Sequence, residues 1–156
     1  MDVPYLVRLA AESDLPGIEG IEQASFSDPW PRSSFLLLMG DYSWVAESGG
    51  RVVGYLLARI SADEAEVLNV AVHPELRRRG VARALLVTAL EEFRAAGAAN
   101  AYLEVRATNS DAQAFYRAFG FQEQRRRRRY YDNPPEDAVI MGRRIGVPER
   151  SEKKGS

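Results

Sequence analysis

A strand-like run, Glu66 to Val72, halts at His73-Pro74, and an apolar helical pattern starts just past Gly80. The rhythm changes from a period of two to a period near 3.6 within about eight residues. The same succession recurs downstream. Ala101 to Arg106 reads as a strand, and the stripe Ala112, Phe115, Tyr116 and Phe119 reads as a helix that Gly120 ends. Strand-helix-strand crossing of this kind gives a mixed α/β sheet with helices packed on it.

The remaining segments fit around that unit. Tyr5 to Leu9 reads as a first strand, and Asp14 as the N-cap of a helix carrying Leu15, Ile18 and Ile21. Asp28-Pro29-Trp30-Pro31 breaks that helix, and Pro31 suits the first position of another running through Phe35 to Met39. Trp44 to Glu47 and Arg51 to Ile60 are expected as strands joined at Ser48-Gly49-Gly50. Val81, Ala84, Leu85, Ala89 and Phe93 share a helical face that stops at Gly97. Ser110 and Gln113 have the spacing of a capping box for the last helix. Strands near Phe121 to Tyr131 and Ala138 to Arg144 close the domain. With 156 residues, a single domain is expected over 1–147, and 148–156 as a disordered tail.

Composition excludes several chemistries. Without cysteine there is no disulfide and no thiolate nucleophile, and one histidine makes a zinc site or a Ser-His-Asp triad improbable. No metal is expected. The formal net charge of -1 argues against a dedicated nucleic-acid binder, despite the runs Arg77 to Arg79 and Arg125 to Arg129. The chain begins with no basic-then-apolar leader, and no apolar run reaches membrane-spanning length, so a cytoplasmic protein away from membranes is expected.

Two places are suited to chemistry. At Gly80 a helix opens with unpaired N–H groups, ringed by Arg77, Arg78, Arg79 and Arg83. That is either a pyrophosphate cradle or a solvated basic helix end. It is not a Walker loop, because no Gly-Lys-Ser/Thr is present. On Tyr102-Leu103-Glu104-Val105-Arg106, strand alternation puts Glu104 on the polar face. Glu104 is either a working carboxylate or an ordinary partner of Arg106. Tyr116 is either core or catalytic, Asn109 reads as a cap, and His73 as a turn residue. Arg125 to Arg129 reads as a solvated edge strand with arginines on alternate faces.

Arg77-Arg78-Arg79-Gly80-Val81-Ala82 resembles the acetyl-CoA signature of the GNAT family of N-acetyltransferases, Gln/Arg-x-x-Gly-x-Gly/Ala. Leu68-Asn69-Val70-Ala71-Val72-His73-Pro74 is similar to that family's splayed central strand. Leu103 to Asn109, Ala114 to Phe121, Arg128-Arg129-Tyr130-Tyr131 and Glu136 to Met141 resemble its RimI-type branch. The likeness runs from Val7 to Ile145. Ala82 stands where many members have a second glycine.

The resemblance implies a central mixed sheet of about six or seven strands, two of them parallel and splayed, with about four flanking helices. It implies acetyl-CoA as acetyl donor. Main-chain groups of Val70, Ala71 and Val72 would hold thioester and pantetheine, and N–H groups from Arg77, Arg78, Arg79, Gly80, Val81, Ala82 and Arg83 the pyrophosphate. Asn109 would bind further along the same molecule. Glu104 would be the general base and Tyr116 the general acid. Trp30, Tyr130 and Tyr131 would contact the acceptor, the N-terminal segment of a protein. The branch acetylates the N-terminal alanine of a small-subunit ribosomal protein. An α-amino group, with a pKa of about 7.7 to 8.0 against about 10.4 for lysine, is the easier amine to deprotonate. Without cysteine no acyl-enzyme thioester forms, leaving direct transfer in a ternary complex. A lysine or small-molecule amine as acceptor is the enzymatic alternative, and an RNA- or ribosome-binding module the non-enzymatic one. A monomer or weak dimer is expected.

Overall fold

In the computed structural model, residues 4–132 and 134–146 are described; the segment 148–156, expected as a tail, lies outside them. The elements are β1 (Leu6–Leu9), α1 (Leu15–Ser25), α2 (Arg32–Leu38), β2 (Ser43–Ser48), β3 (Arg51–Ser61), β4 (Glu64–Val72), α3 (Val81–Ala95), β5 (Asn100–Arg106), α4 (Ser110–Ala118), β6 (Gln122–Asp132) and β7 (Pro135–Arg144). The seven strands follow the order β1-β2-β3-β4-β5-β7-β6 in one mixed sheet. The expected mixed α/β class is what the chain adopts.

The chain divides into two compact units, one within Met1–Arg59 and Val67–Ala89, the other within Ile60–Glu66 and Leu90–Ser156. The first unit has its core where α1 and α2 meet β2 and β3. Leu15, Ile18, Ile21, Phe35, Val45, Tyr55 and Leu57 are buried there together with Ala71. Gly54 on β3 admits α3: a Cβ on it would lie 3.0 Å from Val81 Cγ1 and 3.3 Å from Leu85 Cδ1. A larger side chain at Gly54 would therefore push the first turn of α3 away from β3.

Asp14 is the N-cap residue of α1, as expected, but its side chain makes no capping bond there. Its carboxylate accepts from both terminal nitrogens of Arg8, each at 2.9 Å, and from the Ala11 N–H at 2.7 Å. The Arg8 guanidinium holds the Asp14 carboxyl below the usual carboxylate range, and burial opposes it only in part. A lowered native pKa means stability that is present at neutral pH and lost as pH falls through the native value. Asp14→Asn is expected to lower unfolding free energy by about 2 kcal/mol at pH 7. The deficit should shrink on acidification, in denaturant melts taken between pH 7 and pH 3.

In the second unit, β4 and β5 pair in parallel from Glu64↔Asn100 to Glu66↔Tyr102, although β4 continues to Val72 and β5 to Arg106. β5 pairs antiparallel with β7 along its whole length, and β7 with the edge strand β6. Leu103, Val105, Tyr116, Phe121, Val139 and Met141 are buried. The last helix starts one residue earlier than the Ser110/Gln113 spacing implies. Asn109 is its cap, its side-chain oxygen accepting from Ala112 N–H at 3.1 Å. Gln113 turns inward instead and donates to the carbonyls of Arg106 and Ala107. A buried amide with two carbonyls in reach gains more there than at an exposed helix end.

Candidate active site

The first unit supplies the basic loop. β4 ends at Val72, and His73 caps a short 3-10 turn, Pro74–Leu76, with its Nδ1 accepting from Glu75 N–H. His73 is thus a turn residue, as its sequence position implies. Arg77 folds back: Nε donates to the Val72 carbonyl at 3.1 Å and a terminal nitrogen to Ser25 Oγ at 2.9 Å. Its side chain fastens the strand end to α1. Arg78 has φ +65° and Gly80 φ +83°. Glycine takes that conformation freely, whereas for arginine it costs about 1 kcal/mol. Tyr5 donates to the Gly80 carbonyl at 3.0 Å and braces the bend. The first intrahelical bond of α3 runs from Ala84 N–H to the same carbonyl. The N–H groups of Val81 and Ala82, in the first turn, point out of the helix. They suit a diphosphate, in a loop already bent to present them.

The same unit contains a polar cluster that sequence reading passes over. Glu22 lies on α1, four residues after Ile18, and is 2 % exposed. Tyr55 on β3 donates to its Oε1, Asn69 on β4 donates to the same oxygen at 2.8 Å, and the Trp30 N–H donates to Oε2 at 2.8 Å. Burial, then the Glu22 carboxylate, raises the Tyr55 phenol far above its ordinary value. The Trp30 ring packs on Phe35 at 5.3 Å and is half-buried. A glutamate in phase with an apolar stripe is the one signal in the sequence that points to Glu22.

The second unit has a carboxylate face of its own. Along β5, Ala101, Leu103 and Val105 are buried and Tyr102, Glu104 and Arg106 half-buried, as the alternation implies. Pairing with Arg106 was one of the two sequence alternatives for Glu104, and each of the two makes an ion pair elsewhere. Arg106 goes to Glu136 at 3.3 Å and to the Pro134 carbonyl, and its guanidinium lies 4.2 Å from the Tyr131 ring centroid. Glu104 is met from β6 instead, by Arg127 at 3.2 Å. The reason is register. Arg125 opposes Ile140 and Arg127 opposes Ala138, and these oppose Glu104 and Arg106 on β5, so all four charged side chains share one sheet face.

β6 does not alternate cleanly along its arginines. A bulge lies between Arg127 and Tyr131, with Arg129 at φ +49° and its N–H donating to Asp137 Oδ1 at 2.9 Å. A bulge re-aims the side chains it contains. Here Tyr130 comes beside Arg127, 4.7 Å from guanidinium to ring, and meets the Glu104 carboxylate. Burial and then Glu104 raise the Tyr130 phenol above its ordinary value, and the same two causes push Tyr131 up to about 12. Glu104, Tyr130 and Tyr131 thus form one group. Glu136 accepts from the N–H and hydroxyl of Thr108 and so secures the junction between β5 and α4.

Tyr116 projects from α4 into the core of this unit and is 6 % exposed. Its ring meets Phe115 at 5.3 Å and Phe121 at 5.8 Å. Burial raises its pKa, so the phenol holds its proton firmly. Among the described residues its hydroxyl has no hydrogen-bond partner, which is uncommon for a buried polar group.

The acetyltransferase (GNAT) family matches residues 15–121. The chain belongs to that family. It is 35 % identical over 139 residues to the ribosomal protein bS18-alanine N-acetyltransferase of Escherichia coli K12, covering 86 % of this chain and 94 % of the relative. The Salmonella typhimurium enzyme of the same name is 33 % identical over 145 residues, covering 90 % and 98 %. Among solved structures, the Escherichia coli ribosomal-protein-S18-alanine N-acetyltransferase superposes with a TM-score of 0.87 at 32 % identity, covering 97 % of this chain and all of that one. Ard1 of Thermoplasma volcanium gives a TM-score of 0.87 at 28 % identity, covering 92 % and 99 %. The acetyltransferase fold expected from the sequence is therefore this chain's fold.

Proposed function

We propose that this acetyltransferase moves an acetyl group from acetyl-CoA to the N-terminal α-amino group of a protein, with the N-terminal alanine of a small-subunit ribosomal protein as its substrate. The observation that carries the reading is Tyr116: a buried phenol that keeps its proton and has no hydrogen-bond partner among the described residues is suited to hand that proton to a leaving group.

When bound, acetyl-CoA supplies an acetyl group already activated as a thioester. Val70, Ala71 and Val72 hold its arm through main-chain groups, and the N–H groups at Arg77 to Arg83 hold its diphosphate. Asn109 contributes its amide nitrogen, its oxygen being committed to the helix cap. Glu104 accepts a proton from the acceptor ammonium, through water, and the neutral amine forms the new N–C bond. As the C–S bond breaks, Tyr116 gives its proton to the sulfur, and the proton shed by the acylated nitrogen returns through water to the phenolate. Arg127 keeps the Glu104 carboxylate aimed, and Tyr130, Tyr131 and the Trp30 connector receive the peptide. The arginines of β6 are partly spent on this group, which favours an enzyme over an RNA-binding module.

Peptides beginning Ala, Ser and Thr, set against internal-lysine peptides and polyamines, test the reading. Acetylation of the α-amino group of the Ala peptide is expected, with kcat/KM at least about tenfold above any lysine or polyamine acceptor. Acetylation of polyamines alone would refute it. Salt-sensitive RNA binding with no thermal shift from acetyl-CoA would favour the non-enzymatic module.

A further inference from the structure

We propose that Glu22 is a positioning residue for the acceptor peptide, holding the connector between α1 and α2 in the shape that receives it. The proposal rests on the reading above, in which that connector, residues 26–31, meets the peptide.

Glu22 is the one acidic side chain within α1's buried face, and its three donors come from three different segments. Tyr55 belongs to β3, Asn69 to β4 and the Trp30 N–H to the connector. The two oxygens divide the work. Oε1 is anchored on the sheet by Tyr55 and Asn69, and Oε2 holds the connector backbone. An ion brought out of water is costly, and an apolar residue of similar volume would serve the core's stability as well or better. The carboxylate instead fixes a backbone that two prolines, Pro29 and Pro31, already make stiff. A second tie is apolar: the Trp30 ring rests on Phe35, which meets the Tyr55 ring edge-on at 6.0 Å. The connector is thus pinned by its backbone at Trp30 while Phe26, in the same connector, remains 40 % exposed. Glu22 has no exposed surface with which to touch the peptide itself. It acts through the connector.

The test is a steady-state comparison of KM for an Ala-starting peptide and for acetyl-CoA. Glu22→Met removes both oxygens at similar volume. Peptide KM is expected to rise about tenfold or more while acetyl-CoA KM stays within about twofold. Glu22→Gln is the conservative rescue. Its amide nitrogen can donate to Tyr55 and to a turned Asn69 amide while its oxygen still accepts from Trp30 N–H, so peptide KM should return to within about threefold of the parent. An independent readout is Trp30 emission in a Trp44→Phe background, which should shift to the red in Glu22→Met and not in Glu22→Gln. Should Glu22→Met fail to fold, Tyr55→Phe, which removes one donor only, must still raise peptide KM more than acetyl-CoA KM. Unchanged peptide KM, or equal rises in both constants, overturns the positioning role. A parent enzyme that acetylates no peptide while Trp30 emission shifts as expected would fail the functional reading and leave the clamp itself standing as a structural tie without the proposed role.

Discussion

Glu104→Gln is expected to lower kcat with an Ala-starting peptide by about a hundredfold at pH 7, with acetyl-CoA affinity within about twofold of the parent. The substitution keeps the side chain's length and leaves an oxygen for Arg127, so the sheet face it shares with Arg125 and Arg127 should survive. What it loses is a site that can receive a proton. The size of the effect should depend on pH in a way that identifies its cause. An α-amino group with a pKa of about 8 is roughly a tenth neutral at pH 7 and roughly nine-tenths neutral at pH 9. The variant should therefore gain activity more steeply than the parent over that range, narrowing the gap by about fivefold or more. A lysine acceptor, with a pKa of about 10.4, would still be only about 4 % neutral at pH 9, and its reaction would go on rising about tenfold per pH unit with no levelling near pH 8 to 9. A pH-independent gap would mean that Glu104 holds the peptide without taking its proton, and unchanged turnover would remove it from the mechanism.

How far such a site can be read from sequence depends on whether its geometry is local. The basic loop was legible because its parts are consecutive: strand, Gly80 with positive φ, helix start. Glu104's exposure was legible because a strand alternates. Its partner was not. Arg106 and Arg127 both share its face, and only the pairing of β5, β7 and β6, with its bulges, shows that Arg127 reaches it. For α4 the sequence offered two caps, Asn109 and the Ser110/Gln113 spacing; Asn109 is the one used, and Gln113 bonds carbonyls inside instead. Glu22 illustrates the limit. Its donors lie 8, 33 and 47 residues away along the chain, and no local pattern connects them. Trp30 was read as a contact of the acceptor, whereas the fold shows its backbone N–H held by Glu22.

Tyr116→Phe sets the two readings of that residue against each other with opposite signs. If the hydroxyl serves the core, removing it should cost about 1 kcal/mol or more, since buried hydroxyls usually repay their desolvation with a hydrogen bond. Here the ring's contacts with Phe115 and Phe121 are kept, and the hydroxyl has no protein partner among the described residues. Its removal relieves a desolvation penalty, so the melting temperature should hold or rise by about 1–3 °C. Activity should move the other way. With the proton donor gone, the leaving sulfur must find its proton from water, and kcat should fall by about thirtyfold to a hundredfold or more. Because burial raises the pKa of this phenol, its ionisation should not limit the parent enzyme on the alkaline side up to about pH 10. A variant that is both less stable and fully active when folded would assign Tyr116 to packing. A stable and slow one would mean that this chain gives up hydrogen bonding in its core to keep a proton available for the reaction.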